Sequence, residues 1–207
     1  MVQSIPARRV KLSDLKDMFG LQWNEAEDFF TEWFGGFPEL TTEDLKALDR
    51  VKANYRYLLE YPIMESIVKM VVLSPLLDIA GFYAPPYRVT GETDVKVSAV
   101  DEGEVSQGSI DVLVIQKQFW VTVIEAKNSE FSLTKAIPQT LAYMLAEPQS
   151  SSPTFGMVTN GSEFLFLKIT HDTPPEYGTS DVFSMWNRGN NLYSVVQILK
   201  HFGQLIA

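Results

Sequence analysis

Hydrophobic positions in the first sixty residues recur at helical spacing, and the stripes break where capping residues stand. Ser13 can cap a short helix carrying Leu15, Met18 and Phe19. The run Asn-Glu-Ala-Glu at 24–27 has the form of a capping box ahead of Phe29, Phe30 and Trp33. Thr41 or Thr42 can cap a third helix with Leu45, Leu48, Val51, Tyr55 and Leu58 on one stripe, ending before Pro62. A fourth helix carries Glu65 and runs toward Leu73. Ser74 and Pro75 then form either a new cap with proline at the first helical position or a kink, and Gly81 closes the element.

Beyond Gly81 the period falls to two. Residues 87–99 read as a strand with a weak middle, and 101–104 as an acidic loop. Residues 109–116 and 119–126 read as two strands across a short turn, and a helix follows within 133–146. Pro138 suits the start of that helix or a bend in it. The apolar runs 155–158 and 163–169 flank an Asn-Gly turn, a strong hairpin signal. Residues 170–190 look like loop, and a last helix starts near Asn191. The order of elements is that of a layered mixed α/β domain.

The apolar strand ending in Val-Ile-Glu-Ala-Lys carries an anomaly. Glu125 and Lys127 are two apart, so on a strand they project from one face. With a three-residue loop at 117–119, residues whose numbers total 236 stand opposite, and Asp111 faces Glu125. A two-residue turn would put Asp111 on the other face. Two opposed carboxylates repel, and a divalent cation such as Mg²⁺, which takes oxygen ligands, compensates them. Lys127 can then stabilise the charge that develops on a phosphate.

Asp111, thirteen residues, then Glu125-Ala126-Lys127 on a hairpin resembles the PD-(D/E)xK nuclease superfamily with its restriction-endonuclease-like fold. More narrowly, about residues 61–170 resemble the N-terminal nuclease domain of type I restriction enzyme R proteins. The pieces, in order, are ESIVKMVVLSPLLDIAGF, GSIDVLVI, VIEAK, AIPQTLAYM and FGMVTNGSEFLFLK. Ile110 stands where the motif has proline, which many members of the superfamily lack. The resemblance implies a three-layer core over residues 61–207, a mixed sheet flanked by helices; residues 1–60 lie outside it and read as a helical extension packed on that core. It implies Mg²⁺ or Mn²⁺ held by Asp111, Glu125, the Ala126 carbonyl and a helix acid, Glu65. Glu60 is the rival for that acid, and Glu65 could instead pair with Lys69. Gln139 matches the family's helix glutamine near the lysine and phosphate, against a plain surface glutamine. Tyr143, Phe119 and Trp120 read as packing.

Composition narrows the partners. The chain has 207 residues, a net charge of −9, no cysteine and no apolar leader. This fits a cytoplasmic protein with neither disulfides nor thiolate metal sites. Residues 61–207 hold 9 Lys and Arg against 15 Asp and Glu, so DNA binding by the isolated chain should be weak and salt-sensitive. The expected activity is metal-dependent endonucleolytic hydrolysis of DNA, as a homodimer or with a partner protein. The alternative is a silent nuclease-fold subunit that binds or scaffolds a partner.

Overall fold

The structure is a computed structural model that describes residues 10–61, 63–90, 112–115, 119–123, 133–146 and 152–207. Eight strands form one mixed sheet: β1 (Gln22–Trp23), β2 (Val89–Thr90), β3 (Val112–Ile115), β4 (Phe119–Val123), β5 (Thr154–Thr159), β6 (Glu163–Thr170), β7 (Glu176–Thr179) and β8 (Phe183–Ser184). Their order is β1-β7-β6-β5-β4-β3-β2, with β8 also on β6. β1–β7 and β4–β5 are parallel pairs, and the others are antiparallel. The helices are α1 (Leu12–Phe19), α2 (Thr42–Leu58), α3 (Glu65–Val68), α4 (Ser74–Ile79), α5 (Ile137–Ala146) and α6 (Leu192–Ile206). The mixed α/β class with helices flanking a mixed sheet is therefore as expected.

Alternation along β5 and β6 divides the core in two. Phe155, Met157, Phe164 and Phe166 face a layer made by α2, α4 and α6, whereas Val158, Leu165, Leu167 and Ile169 face α1 and α5. Phe202 of α6 is the hub of the first layer. Its ring stacks on Phe155 at 4.4 Å and meets Phe166 at 5.5 Å and Phe119 at 5.7 Å edge to face. On the other face α5 sits close because β5 has Gly156 beneath it. A Cβ there would lie 2.8 Å from Met144 Sδ and 3.2 Å from Thr140 Cγ2.

Local chemistry explains most boundaries. Thr41 caps α2: its hydroxyl accepts the Asp44 N–H at 3.1 Å, and Asp44 accepts the Thr41 N–H at 3.0 Å. Asp44 also takes Lys200 of α6 at 2.9 Å. Burial pushes its carboxyl up, but the bonds from Lys200 and Thr41 outweigh this and leave it below its usual value. α1 starts at Leu12 with Asp14 accepting the Lys11 N–H, so Ser13 is inside the helix and not its cap. Ser74 has helical φ and ψ and caps nothing. A π segment, Lys69–Leu73, joins α3 to α4, and its wide turn admits Pro75, which has no N–H to donate. α5 is preceded by a 3₁₀ turn, Leu133–Lys135, and holds Pro138 at its start.

Two expectations need correction. Residues 24–37 form turns and not a helix. The Asn24 side chain accepts the Ala26 N–H at 2.8 Å and donates to Glu176 at 2.8 Å, which spends the capping group on a turn. This segment is pinned to the sheet by Glu32, whose carboxylate meets Lys168 Nζ at 2.6 Å. Residues 170–190 are not all loop, since β7 and β8 lie within them. Strands of four and two residues carry too few alternations to be recognised.

Two measurements probe this frame. Gly156→Ala should cost about 1–3 kcal/mol, read as a lower urea midpoint, because α5 must lift or its side chains leave their rotamers. Asp44→Asn should cost about 1 kcal/mol at neutral pH. The wild-type carboxyl has a depressed pKa when folded, so its contribution is present above the unfolded value, near 4, and is lost as pH falls through the folded one. Urea melts of the two proteins should therefore converge in acid.

Candidate nuclease site

Several strand ends meet at one end of the sheet. β4 finishes at Val123, which pairs with Thr159 at the finish of β5. Thr159 pairs with Phe164 near the start of β6, and Phe164 with Phe183 of β8. β3 begins at Val112, opposite Thr122. The start of β3 and the finish of β4 thus lie at the same end.

The turn at this end is built from side chains. Thr159 Oγ1 accepts the Gly161 N–H at 3.0 Å and donates to the Glu163 carbonyl at 2.8 Å. Asn160 Oδ1 accepts from the Ser162 and Glu163 N–H groups at 3.0 and 2.8 Å. Gly161 has φ 91°, and a Cβ on it would stand 2.7 Å from Val68 and 3.3 Å from Tyr55. The absence of that Cβ lets α3 and α2 press against the turn. The start of α3, at Glu65, lies one helical turn before Val68.

Asp111, Glu125, Ala126 and Lys127 lie outside the described residues, as do residues 91–110. Asp111 immediately precedes Val112, and Glu125 follows Val123 by two. The hairpin register differs from expectation. Ile115 pairs with Phe119 and Val112 with Thr122, so opposed numbers total 234 and the connection is 116–118. Phe119 belongs to β4 because its ring is fully buried against Phe82 and Phe202, which fixes it on the strand and not in the turn. The slide is by two residues, so side-chain parity is kept. Phe119, an odd-numbered position, faces the layer that contains α2 and Val68.

Gln139, in the first turn of α5, is half-buried and donates from Nε2 to the Tyr143 hydroxyl at 3.3 Å. Tyr143 is wholly buried in the second layer, so it is a packing residue. His171 is held by Thr154 at 2.8 Å, and burial pushes its pKa down. Among the described residues no group of three His, Asp or Glu could hold a metal ion.

Sequence reading passed over one further group at this end of the sheet. Lys52, Arg56 and Asp49 of α2 and Trp186, Arg188 and Tyr193 line a hollow of about 530 Å³. Lys52 Nζ donates to the carbonyls of Asn187 and Gly189, and Arg56 donates to the Met185 carbonyl at 3.4 Å. Burial, then the neighbouring Arg56, pushes the Lys52 pKa down. Asp49 accepts the Tyr193 hydroxyl at 2.7 Å and Asn190 at 3.0 Å, which holds its carboxyl below and the phenol above their usual values. The signal available was a Lys-Arg pair four apart on α2 and a tryptophan two residues before an arginine in a polar loop. A second hollow, about 480 Å³, lies between Trp23, Phe29, Trp33, Phe34 and Gly178.

Among the described residues no helix is long and apolar enough to cross a membrane. No individual curated protein matches the chain. A family model described as type I restriction enzyme R protein N terminus (HSDR_N) matches residues 23–174. The match runs from β1 to the residues before β7 and takes in both strand ends and the turn between β5 and β6. The chain therefore belongs to the family of the type I restriction enzyme R protein N terminus.

Proposed function

We propose that the protein is a metal-dependent endonuclease that hydrolyses DNA phosphodiester bonds, in the restriction-related role its family points to. The observation that carries this reading is the β3–β4 ladder. Its even register total pairs odd-numbered positions with odd-numbered ones, and Phe119, one of these, packs in the layer that holds Val68. The reading extends that alternation to Asp111, Glu125 and Lys127, with Glu65 as the acid supplied from outside the sheet and Glu60 as its rival.

The donor set suits a hard cation. Carboxylates of Asp111, Glu125 and Glu65 and the Ala126 carbonyl are oxygen ligands of the kind Mg²⁺ or Mn²⁺ takes. When bound, such an ion supplies a more acidic water and positive charge at the phosphate. Lys127 donates to the phosphate oxygens as negative charge develops on them, or orients the attacking water. Gln139 offers an amide that can hold the lysine or the phosphate in place.

The net charge of −9 favours a second reading, a nuclease-fold subunit that works only beside a partner protein. Nicking of supercoiled plasmid with Mg²⁺ or Mn²⁺ separates the two. The first reading expects nicking by wild type and at least about a hundredfold loss in Lys127→Ala. No nicking by either protein favours the second.

Metal-linked stability gives an independent check. Asp111→Asn should leave the protein in EDTA as stable as wild type or more so, since like charges at diagonal positions on one face of a strand pair repel. Divalent metal at ten times its Kd should stabilise wild type by about 1.4 kcal/mol, roughly 3–5 °C in Tm for this chain length, and do little for the variant. A variant that is less stable in EDTA yet gains equally from metal makes Asp111 a structural residue.

A further inference from the structure

The hollow between α2 and the 185–190 loop combines features that structural packing alone does not account for. Trp186 is 61% exposed although its backbone is fixed, its N–H donating to Ser184 Oγ at 3.2 Å. The loop beneath it is tied down at several points, by Lys52, Arg56 and Asp49 of α2 and by Asn187 donating to Asn191 at 2.8 Å. A hydrogen-bonded loop that presents an indole to solvent offers a platform to a flat, apolar partner.

Charge selects the partner. Three cations, Lys52, Arg56 and Arg188, line the hollow against the single carboxylate of Asp49, a local excess of two positive charges on a chain of net −9. Asp49 is already engaged by Tyr193 and Asn190. Arg188 is exposed and has no ion-pair partner among the described residues, and Arg56 gives one bond to Met185 out of the five donors of a guanidinium. Aromatic face plus guanidinium is the pairing that recognises a base and its phosphate. The size, about 530 Å³, suits a nucleotide. A paired base cannot offer its face to Trp186, because in a duplex both faces are stacked.

Place in the fold agrees. β8 runs antiparallel to β6 and ends at Ser184, so the loop leaves the sheet at the end where β4 and β5 finish and β3 begins. We propose that this hollow is a strand-binding subsite in which an unpaired DNA base stacks on Trp186 while Arg56 and Arg188 hold the adjoining phosphates. Its substrate rests on the DNA-cleaving reading above. The subsite gives an acidic chain a local grip on one strand at the end of the sheet where β4 finishes.

Fluorescence anisotropy with a labelled single-stranded oligodeoxynucleotide, in EDTA and low salt, tests the subsite without cleavage. Trp186→Ala should weaken binding about tenfold and Trp186→Phe by less than about threefold, since a phenyl ring still stacks. Arg188→Ala should weaken binding and lower the salt dependence by about one phosphate contact. Both positions are exposed, and thermal melts of the variants confirm folding. Binding equal to wild type in Trp186→Ala and Arg188→Ala, or no binding by wild type, overturns the subsite. A deoxynucleoside monophosphate that binds as tightly as the oligonucleotide overturns the strand reading in favour of a free nucleotide. Plasmid nicking on the same proteins separates the two claims. Lys127-dependent nicking with binding indifferent to Trp186 and Arg188 removes the subsite alone. Binding that tracks those two residues with no nicking keeps the subsite and removes the nuclease reading.

Discussion

The parallel pairing of β4 with β5 is the constraint on which the arrangement depends. Parallel neighbours cannot be joined by a tight turn, so the chain must cross over one face, and α5 lies on that crossover. The antiparallel hairpins on either side, β3–β4 and β5–β6, then bring their open ends and their turn to one end of the sheet. Residues far apart in the chain, Val112, Val123, Thr159, Phe164 and Ser184, become neighbours there without any of them being chemically unusual. A site can be assembled at that end because the topology has already solved the long-range problem.

Packing on the two faces keeps this geometry in different ways. On one face the rings of Phe119, Phe155, Phe166 and Phe202 lock a strand of each hairpin to α6. On the other, close approach replaces bulk, with Gly156 letting α5 down onto β5. A buried charge also lies on the first face. Lys168, on the face of β6 otherwise filled by Phe164 and Phe166, is answered by Glu32 and the Phe29 carbonyl and lies over the Phe29 ring. Such a pair adds little to stability over an apolar one, but it requires the segment 24–37 to sit in one position, because the lysine has no tolerable alternative there.

How much of this was legible follows from what each signal depends on. Thr41 or Thr42 announced α2 because capping is local, and Thr41 is the one used; the Asn-Gly turn announced β5–β6 for the same reason. The parity of the β3–β4 hairpin followed from expecting a connection of three residues, which is the length observed. Its register was not legible, since a slide of two residues leaves every side chain on its own face and changes no pattern. Asn24 misled because its amide can cap a helix or tie a turn to Glu176, a residue remote in sequence. The cluster of Lys52, Arg56 and Trp186 was invisible because it needs α2 and the loop after β8 in contact. The acids and lysine of the expected metal site stand out by the opposite logic, three charges within seventeen residues, and they lie outside the described residues.

The π segment between α3 and α4 has a consequence for how this family can vary in length. The Ser74 N–H reaches back five residues to the Lys69 carbonyl, so the turn 69–73 carries one residue more than an α-helical path would. Losing a single residue there would let the helix close into uninterrupted α form, with Pro75 again opposing the preceding turn. Upstream backbone would rotate by about 100° about the helix axis, the angle of one residue. Val68 would leave the space over Gly161, and the position of Glu65 would swing away from the end of the sheet where the strands converge. Length at this point is thus coupled to direction. The loops of the molecule can absorb an insertion or deletion as slack, whereas this helix converts it into a change of bearing for the residue at its start.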